Sequence, residues 1–271
     1  MKKLTLAAAL VALGFATAAD AHRAWIKPDA TVLSKENAWV TFDAVVSNEI
    51  FARDHVALRL DSINAFAPDG QKIELENTHT GRLRSVFDLQ LTQSGTYKIG
   101  LASTSLQARW VDENGDRKFW PGRGVTPKPG DFERDVPKQA KDLVVSEYSR
   151  RVETYVTNGA PTDTVLAPSN QGFELTPVTH PNDLYAQEAA QFKLTYNGEP
   201  AVGAEVTVIK DGMRSRDQQD EITLVSDSNG EFEVTWPEAG QYFIEISYED
   251  DRGQAPATVR RGSYSGVFEV L

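Results

Sequence analysis

The chain has 271 residues, of which 40 % are hydrophobic and 25 % are charged, a composition typical of a folded globular protein rather than a disordered one. Its formal net charge of -11 repels phosphate backbones and argues against nucleic acid as the main partner. The absence of cysteine excludes disulfides, thiolate metal sites, iron-sulfur clusters and catalytic thiols. Any metal ion must therefore be held by histidine, carboxylate, amide or the chain terminus.

Residues 1–21 have the order of a secretory signal peptide. Two lysines precede an apolar run, and Ala19 and Ala21 are small residues at the positions that a signal peptidase inspects. The apolar run is too short for a stable membrane anchor, and no later stretch reaches membrane length. We therefore expect removal of residues 1–21, a periplasmic mature chain and no transmembrane segment within it. Cleavage after Ala18 is the alternative.

The first part of the mature chain alternates apolar and polar residues, as half-buried β-strands do. Clear examples are the runs Val40, Phe42, Ala44 and Phe87, Leu89, Leu91. We predict an N-terminal β-sandwich domain over residues 22–172. The pattern fails near residues 108–142, which we interpret as a long ordered loop anchored on its own domain by aromatic residues that include Trp110 and Trp120. A ligand-stacking surface at these aromatics is the less favoured alternative.

The second part of the chain has the strand count of an immunoglobulin-like domain. Residues 157–172 are rich in Pro, Gly, Ser and Asn, which is typical of a connection between domains. Seven short alternating runs follow, at residues 173–178, 190–196, 204–209, 221–226, 231–235, 241–248 and 264–270. This spacing predicts an immunoglobulin-like β-sandwich over residues 173–271. The sequence as a whole predicts an all-β fold of two β-sandwich domains.

Removal of the signal after Ala21 would make His22 the first residue of the mature protein. The α-amine and Nδ1 of a terminal histidine close a chelate ring on one metal ion, and a second histidine would complete a set of three nitrogens. Such a set suits Cu(II) or Ni(II) better than Mg²⁺ or Ca²⁺. Because the metal must displace a proton from an amine whose ordinary pKa is about 7.7 to 8.0, its affinity should rise with pH.

Three other histidines are candidates for the second ligand, in the order His55, His79 and His180. His55 lies on the outward face of an alternating segment, and Asp54 beside it is placed to orient its ring. His79 lies in a turn, and His180 precedes a proline at the entrance to the second domain. Each of the three, taken alone, is more simply explained as a surface or hydrogen-bonded side chain.

The sequence does not predict an enzyme. It contains no Gly-Xaa-Ser-Xaa-Gly elbow, no His-Glu-Xaa-Xaa-His pair and no phosphate-binding glycine loop. We therefore expect no catalytic residues and no organic cofactor.

Two segments together resemble a known family. His22-Arg23-Ala24-Trp25 directly follows the signal, and Thr176-Pro177-Val178-Thr179-His180-Pro181-Asn182-Asp183 leads into Tyr196-Asn197-Gly198-Glu199-Pro200. The pattern is similar to a bacterial periplasmic family of unknown function whose members are often described as nickel or cobalt transport components. That resemblance implies periplasmic uptake or handling of a transition metal, with a metal transporter or an outer-membrane receptor as candidate partners. His22 corresponds to the leading histidine of the family, and the second ligand is not implied.

Three functions are compatible with these features. We expect a periplasmic protein that binds Ni, Co or Cu in metal uptake or trafficking, with His22 as a ligand. The alternative is a non-catalytic structural or carbohydrate-contacting protein of the cell envelope, suggested by the tandem sandwiches and by Trp110 and Trp120. A copper oxidase of polysaccharides is the least favoured hypothesis, because no flat aromatic face can be inferred from the sequence.

Overall fold

A computed structural model describes residues 22–122 and 124–271, so the predicted signal peptide lies outside the described residues. Strands dominate the described part, in which α1 (Asp131–Asp135) is the single α-helix. The all-β prediction is therefore confirmed. Within these same residues, no helix has the length and apolar character needed to cross a membrane.

The strands fall into two halves along the chain. Those of the first half are β1 (Arg23–Pro28), β2 (Val32–Leu33), β3 (Ala38–Ser47), β4 (Val56–Ala57), β5 (Asn64–Phe66), β6 (Lys72–Ile73), β7 (Glu76–Thr80), β8 (Ser85–Leu91), β9 (Gly95–Val111), β10 (Arg117–Trp120) and β11 (Lys141–Asn158). Those of the second half are β12 (Phe173–Pro177), β13 (Ala189–Tyr196), β14 (Glu199–Pro200), β15 (Glu205–Lys210), β16 (Ile222–Val225), β17 (Glu231–Thr235), β18 (Gly240–Asp250) and β19 (Val259–Val270). Single turns of 3-10 helix cover Leu60–Ser62, Thr164–Leu166 and Met213–Ser215.

These strands form three sheets. The first is antiparallel, with the order β1-β3-β8-β7 and β4 beside β3. The second has ten strands in the order β16-β15-β18-β19-β11-β9-β5-β6, with β10 beside β9 and β2 beside β11. The third contains β12, β13, β14 and β17. Seven of the second-half strands, β12, β13 and β15 to β19, correspond to the seven predicted runs, which confirms the immunoglobulin-like sandwich.

The ten-stranded sheet runs through both halves of the molecule. Strand β11 pairs with β9 on one side and, in parallel, with β19 on the other, from Ser146 opposite Val259 to Thr154 opposite Val267. Strand β11 also supplies buried side chains to both cores. The residues interpreted as a connection pack closely as well, because Thr164–Leu166 contributes to the second core. The two sandwiches therefore share a sheet.

Part of the segment near 108–142 is a hairpin rather than a loop. Strand β9 continues to Val111 and turns back into β10, and the Asp112 carboxylate closes the turn by accepting the backbone N–H groups of Asn114 and Asp116, each at 2.9 Å. Trp110 and Trp120 are half-buried in a local apolar cluster. The buried members of this cluster are Ala108, Val136, Val145 and Ala257. Trp110 and Trp120 therefore pack the described hairpin onto this cluster.

Candidate metal centre

Strand β1 directly follows the predicted metal ligand His22 and is fixed to both halves of the molecule. Ala24 faces the first core, whereas Trp25 packs in a separate cluster that contains Phe243 and Val267 of the second half. The Trp25 indole N–H donates to Ser47 Oγ at 2.9 Å, so both faces of the strand are engaged. This packing places the residue just before β1 at a defined corner of the first sheet.

Polar contacts with the second half continue along the same strand. Arg23 Nε donates to the Glu245 carboxylate at 3.0 Å, and Lys27 Nζ donates to Asp211 at 2.6 Å. The Ser265 hydroxyl donates to the backbone carbonyl of Ala24 at 2.7 Å. No local sequence signal reveals these partners, because each lies more than 180 residues away along the chain.

His22 and His55 lie next to each other at this corner. Strand β3 lies between β1 and β4, with Arg23 opposite Ser47 and Val56 opposite Val46. The residues immediately before β1 and before β4 therefore flank the end of β3. The centroids of the His22 and His55 rings are 3.8 Å apart and their planes are inclined by 20°, a stacked arrangement of two exposed imidazoles.

The loop from β3 to β4 brings His55 to this position. The Asp54 carboxylate accepts the backbone N–H of Asn48 at 2.8 Å and that of Glu49 at 3.3 Å. Asp54 therefore closes the loop that carries His55, and its observed hydrogen bonds are to the loop backbone rather than to the imidazole ring. Its contribution to the site is to the backbone, because a side chain that satisfies two loop amides limits the freedom of the residue that follows it.

An aromatic contact fixes the same loop. Phe51 has a left-handed backbone conformation, with φ of 57°, which is strained for a residue with a side chain. Its ring packs edge-on against Trp25, with centroids 5.5 Å apart, and against Phe243 at 6.3 Å. This packing offsets the strain, so the loop is fixed to the same aromatic cluster that fixes β1.

The corner can supply three nitrogens to a metal ion if processing exposes the amine of His22. Among the described residues, no group of three or more His, Cys, Asp or Glu side chains is placed to hold a metal. In the donor set that the sequence predicts, the third nitrogen would be the α-amine. A ligating nitrogen directs its lone pair in the plane of its ring, so stacked rings must turn about their side-chain torsions before both can reach one ion. Both side chains are exposed and have room to turn.

His79 lies elsewhere on the same sheet. It is an exposed residue of β7, opposite Val86 of β8. Strands β8 and β3 separate β7 from β1, which at a spacing of about 4.8 Å per strand places His79 roughly 14 Å from β1. The structure does not bring His79 together with His22.

His180 has a partner on each ring nitrogen. Its Nδ1 accepts the backbone N–H of Asn182 at 3.2 Å, and its Nε2 lies 2.9 Å from the Thr96 hydroxyl. An accepting Nδ1 requires that Nε2 carry the proton and donate to Thr96. Burial lowers the pKa of His180 and favours this neutral form. His180 is therefore committed to a hydrogen-bond network that joins the two halves and does not meet the His22 and His55 pair.

Comparison with known proteins adds a family and a set of distant structures. A family model described as "Domain of unknown function (DUF4198)" matches residues 19–250. No curated protein matches the chain.

The similar solved structures share very little sequence with this protein. The D0-D1 domain of intimin is 10 % identical, with a TM-score of 0.24, over 91 % of this chain and 97 % of that one. A segment of two fibronectin type-III domains from chicken tenascin is 11 % identical, with a TM-score of 0.23, over 91 % and 99 % of the two chains. A DUF3823 family protein from Bacteroides uniformis is 10 % identical, with a TM-score of 0.24, over 92 % and 99 %. Scores this low carry no information about function. Because the family model spans most of the sequence, the protein belongs to the DUF4198 family, a domain of unknown function.

Proposed function

We propose that the mature protein is a periplasmic transition-metal-binding protein that acts in metal uptake or trafficking. The ligands are the α-amine and imidazole of His22 and the imidazole of His55. The observation that supports this proposal is that two of the four histidines in the chain lie with their rings 3.8 Å apart, one of them at the predicted mature terminus. A metal transporter or an outer-membrane receptor is the proposed partner.

The donor set favours some metals over others. Three nitrogens and no carboxylate or thiolate suit Cu(II), Ni(II) and Co(II), and affinity for a given site rises from Co(II) through Ni(II) to Cu(II). We therefore expect Cu(II) to bind most tightly in vitro. Because both side chains are exposed, at least one coordination position stays open to solvent or to a partner's ligand. Such an open site suits a metal ion that is passed on.

The test is metal binding by calorimetry, with protein whose intact mass shows that it begins at His22. An added alanine before His22 turns its amine into an amide, which abolishes the chelate ring between that amine and Nδ1 of His22 and keeps every side chain, and His55→Ala removes the second imidazole. We expect each change to weaken Cu(II) binding by about two orders of magnitude or more, as the loss of one ligand does at other protein metal sites. The matched control is His79→Ala, an exposed histidine on the same sheet, which should bind as the unmodified protein does.

Equal and weak binding by all four proteins would contradict the proposal. The structural or carbohydrate-contacting alternative, as based on Trp110 and Trp120, gains no support from their positions, because both are half-buried in the local cluster of the hairpin. No observation favours the polysaccharide oxidase hypothesis. Assay of peroxide formation by the copper-loaded protein tests it directly.

A further inference from the structure

Trp39 differs from the other four tryptophans of the chain in its exposure. Trp25 and Trp236 are fully buried, and Trp110 and Trp120 are half-buried, whereas Trp39 is 48 % exposed on a strand. Leaving a large apolar ring in water forfeits the free energy that its burial would provide. Among the five tryptophans, Trp39 is therefore the one whose position the cores do not explain.

The indole lies on the outer face of the first sheet, in strand β3. Strand β3 alternates cleanly there, because Val40 is fully buried while Trp39 and Thr41 are exposed. Gln90 of β8 lies directly opposite Trp39 in the register. The pairing of β1 with β3 begins only at Phe42, so within residues 22–122 and 124–271 no strand pairs with β3 at Trp39 on the side away from β8.

Polar groups beside the indole are held in place. Asp88 lies opposite Thr41. Its carboxylate accepts a hydrogen bond from the Thr41 hydroxyl at 2.7 Å and another from the side-chain amide of Asn77 at 2.9 Å. On the opposite side, the Asp29 carboxylate accepts the backbone N–H of Thr41 at 3.1 Å. Each carboxylate oxygen keeps a free lone pair after accepting one bond, so this surface offers oriented acceptors next to an aromatic ring.

This combination matches the chemistry of a sugar ring. A pyranose presents a face of C–H groups that packs on an aromatic ring, and hydroxyls at its edge that bond to amide and carboxylate side chains. The two carboxylates disfavour an acidic sugar by charge repulsion. A single indole among polar groups is also much smaller than the apolar centre of a stable protein interface.

We propose that the outer face of β3 and β8, around Trp39 and Gln90, binds a neutral pyranose unit of a glycan. The site is separate from the metal centre. Trp39 is eight residues before Ser47, which marks the metal-centre end of β3, and at about 3.3 Å per residue the two sites are roughly 26 Å apart. The proposal therefore does not depend on metal binding.

The experiment is titration of the mature protein with cellohexaose and with chitohexaose, two neutral oligosaccharides, followed by the indole N–H signals in ¹H–¹⁵N spectra. We expect the Trp39 signal to shift while those of the four other tryptophans do not. Trp39→Ala should weaken binding at least about tenfold, and Trp39→Tyr should keep most of it because the ring is retained. The matched control is Phe119→Ala, which removes another exposed aromatic residue, 67 % accessible, from the distant hairpin and should bind normally.

Three results would overturn this proposal. One is the absence of any Trp39 shift with either oligosaccharide at millimolar concentration. Another is equal binding by Trp39→Ala and by the unmodified protein, since the variant changes an exposed side chain and should fold. Third, an acidic oligogalacturonate that bound as well as the neutral sugars would contradict the selection against charge by Asp29 and Asp88.

Discussion

At the scale of single residues, the histidines illustrate how environment decides role. His22 and His55 have exposed rings that contact each other, whereas His180 is half-buried and bonded at both nitrogens. The Thr96 hydroxyl receives the His180 N–H and lies 3.0 Å from the Thr157 hydroxyl, which in turn donates to the Asn182 side chain at 2.8 Å. This chain of bonds ties the start of the second half to β9 and β11 of the shared sheet.

The first prediction at this scale concerns pH. Burial lowers the pKa of His180 below its unfolded value of about 6.5, so the native state binds fewer protons than the unfolded state as the pH falls past that value. The contribution of neutral His180 to stability is therefore full above about pH 6.5 and is lost as the pH falls through the unfolded pKa toward the folded one.

Urea unfolding between pH 7.5 and 5 measures this effect. As the pH is lowered from 7.5 to 5, we expect the free energy of unfolding to decrease more steeply for the unmodified protein than for His180→Gln, which lacks the titrating group. His79→Gln, at an exposed position, is the control and should retain the original slope. Parallel pH profiles for the protein and for His180→Gln would refute a buried neutral histidine.

A buried charge network provides the second residue-scale prediction. Glu174 is 3 % exposed and accepts bonds from the backbone of Ser169 at 2.9 Å and of Asn170 at 2.6 Å, while the Arg151 guanidinium lies 3.6 Å away. Glu174→Gln replaces one carboxylate oxygen that accepts these bonds with an amide group and removes a negative charge beside the buried Arg151 guanidinium. It should therefore destabilise the fold by about 2 to 4 kcal/mol.

Chemical unfolding of two glutamate variants separates burial from charge. Glu231→Gln removes the same charge from an exposed ion pair with Lys193 on the third sheet, where the change should stay within about 0.5 kcal/mol. Similar losses for the two variants would mean that the network around Arg151 contributes nothing beyond ordinary surface electrostatics.

At the scale of elements, the long pairing of β9 with β11 shapes the shared sheet. The two strands run antiparallel from Val111 opposite Lys141 to Gly95 opposite Asn158. Gly100 of β9 lies opposite Glu153 of β11. An added Cβ there would meet the Val152 carbonyl oxygen at 2.4 Å and Glu153 Cγ at 2.9 Å, so only glycine fits without movement of the backbone.

Replacing this glycine should therefore damage the sheet. We expect Gly100→Ala to lower the free energy of unfolding by about 2 to 4 kcal/mol through overpacking. Gly122→Ala is the matched control, because an added Cβ there meets nothing closer than the Val125 side chain at 3.6 Å. Thermal or urea unfolding of both variants gives the comparison, and an unperturbed Gly100→Ala would show that the strands separate easily at this point.

The strands also show which buried faces the sequence pattern predicts and which it does not. The alternation of Val40, Phe42 and Ala44 predicts the strand and its buried face, because one side of β3 faces the core and the other faces solvent. The same rule fails in β11, where the face that bears Arg151 and Glu153 is covered by the second half and not by water. The sequence does not predict this covering, since it follows from pairings between distant strands.

The candidate site shows the same limit. The sequence predicted a metal role for His22 and preferred His55 among three partners, and the structure brings these two together. The sequence alone could not settle which of His55, His79 and His180 lies beside His22, because their positions depend on the register of β3 with its neighbours. The metal role itself stays a prediction.

At the scale of the whole molecule, the shared sheet joins the two sandwiches by continuous strand pairing. The last strand, β19, pairs with β18 on one side and with β11 on the other, so the second half cannot detach without exposing an edge of the ten-stranded sheet. The cluster of Trp25, Phe51 and Phe243 adds an apolar contact between the halves.

We therefore predict a single unfolding transition for the mature chain. Calorimetry at neutral pH should give one peak, with a ratio of calorimetric to van't Hoff enthalpy close to about 1. Near-ultraviolet circular dichroism and the fluorescence of Trp236, in the core of the second half, should report the same midpoint. Two resolved peaks would mean that the halves unfold separately in spite of the shared sheet.

The attachment of β1 also has a consequence for the order of folding. Its partners Glu245, Ser265 and Asp211 are separated from it by 222, 241 and 184 residues along the chain. Contacts of such long sequence separation form slowly, because a long loop must close first. Strand β1 is therefore made before the strands that hold it, and its contacts with Asp211, Glu245 and Ser265 can form only after those distant residues have been synthesised.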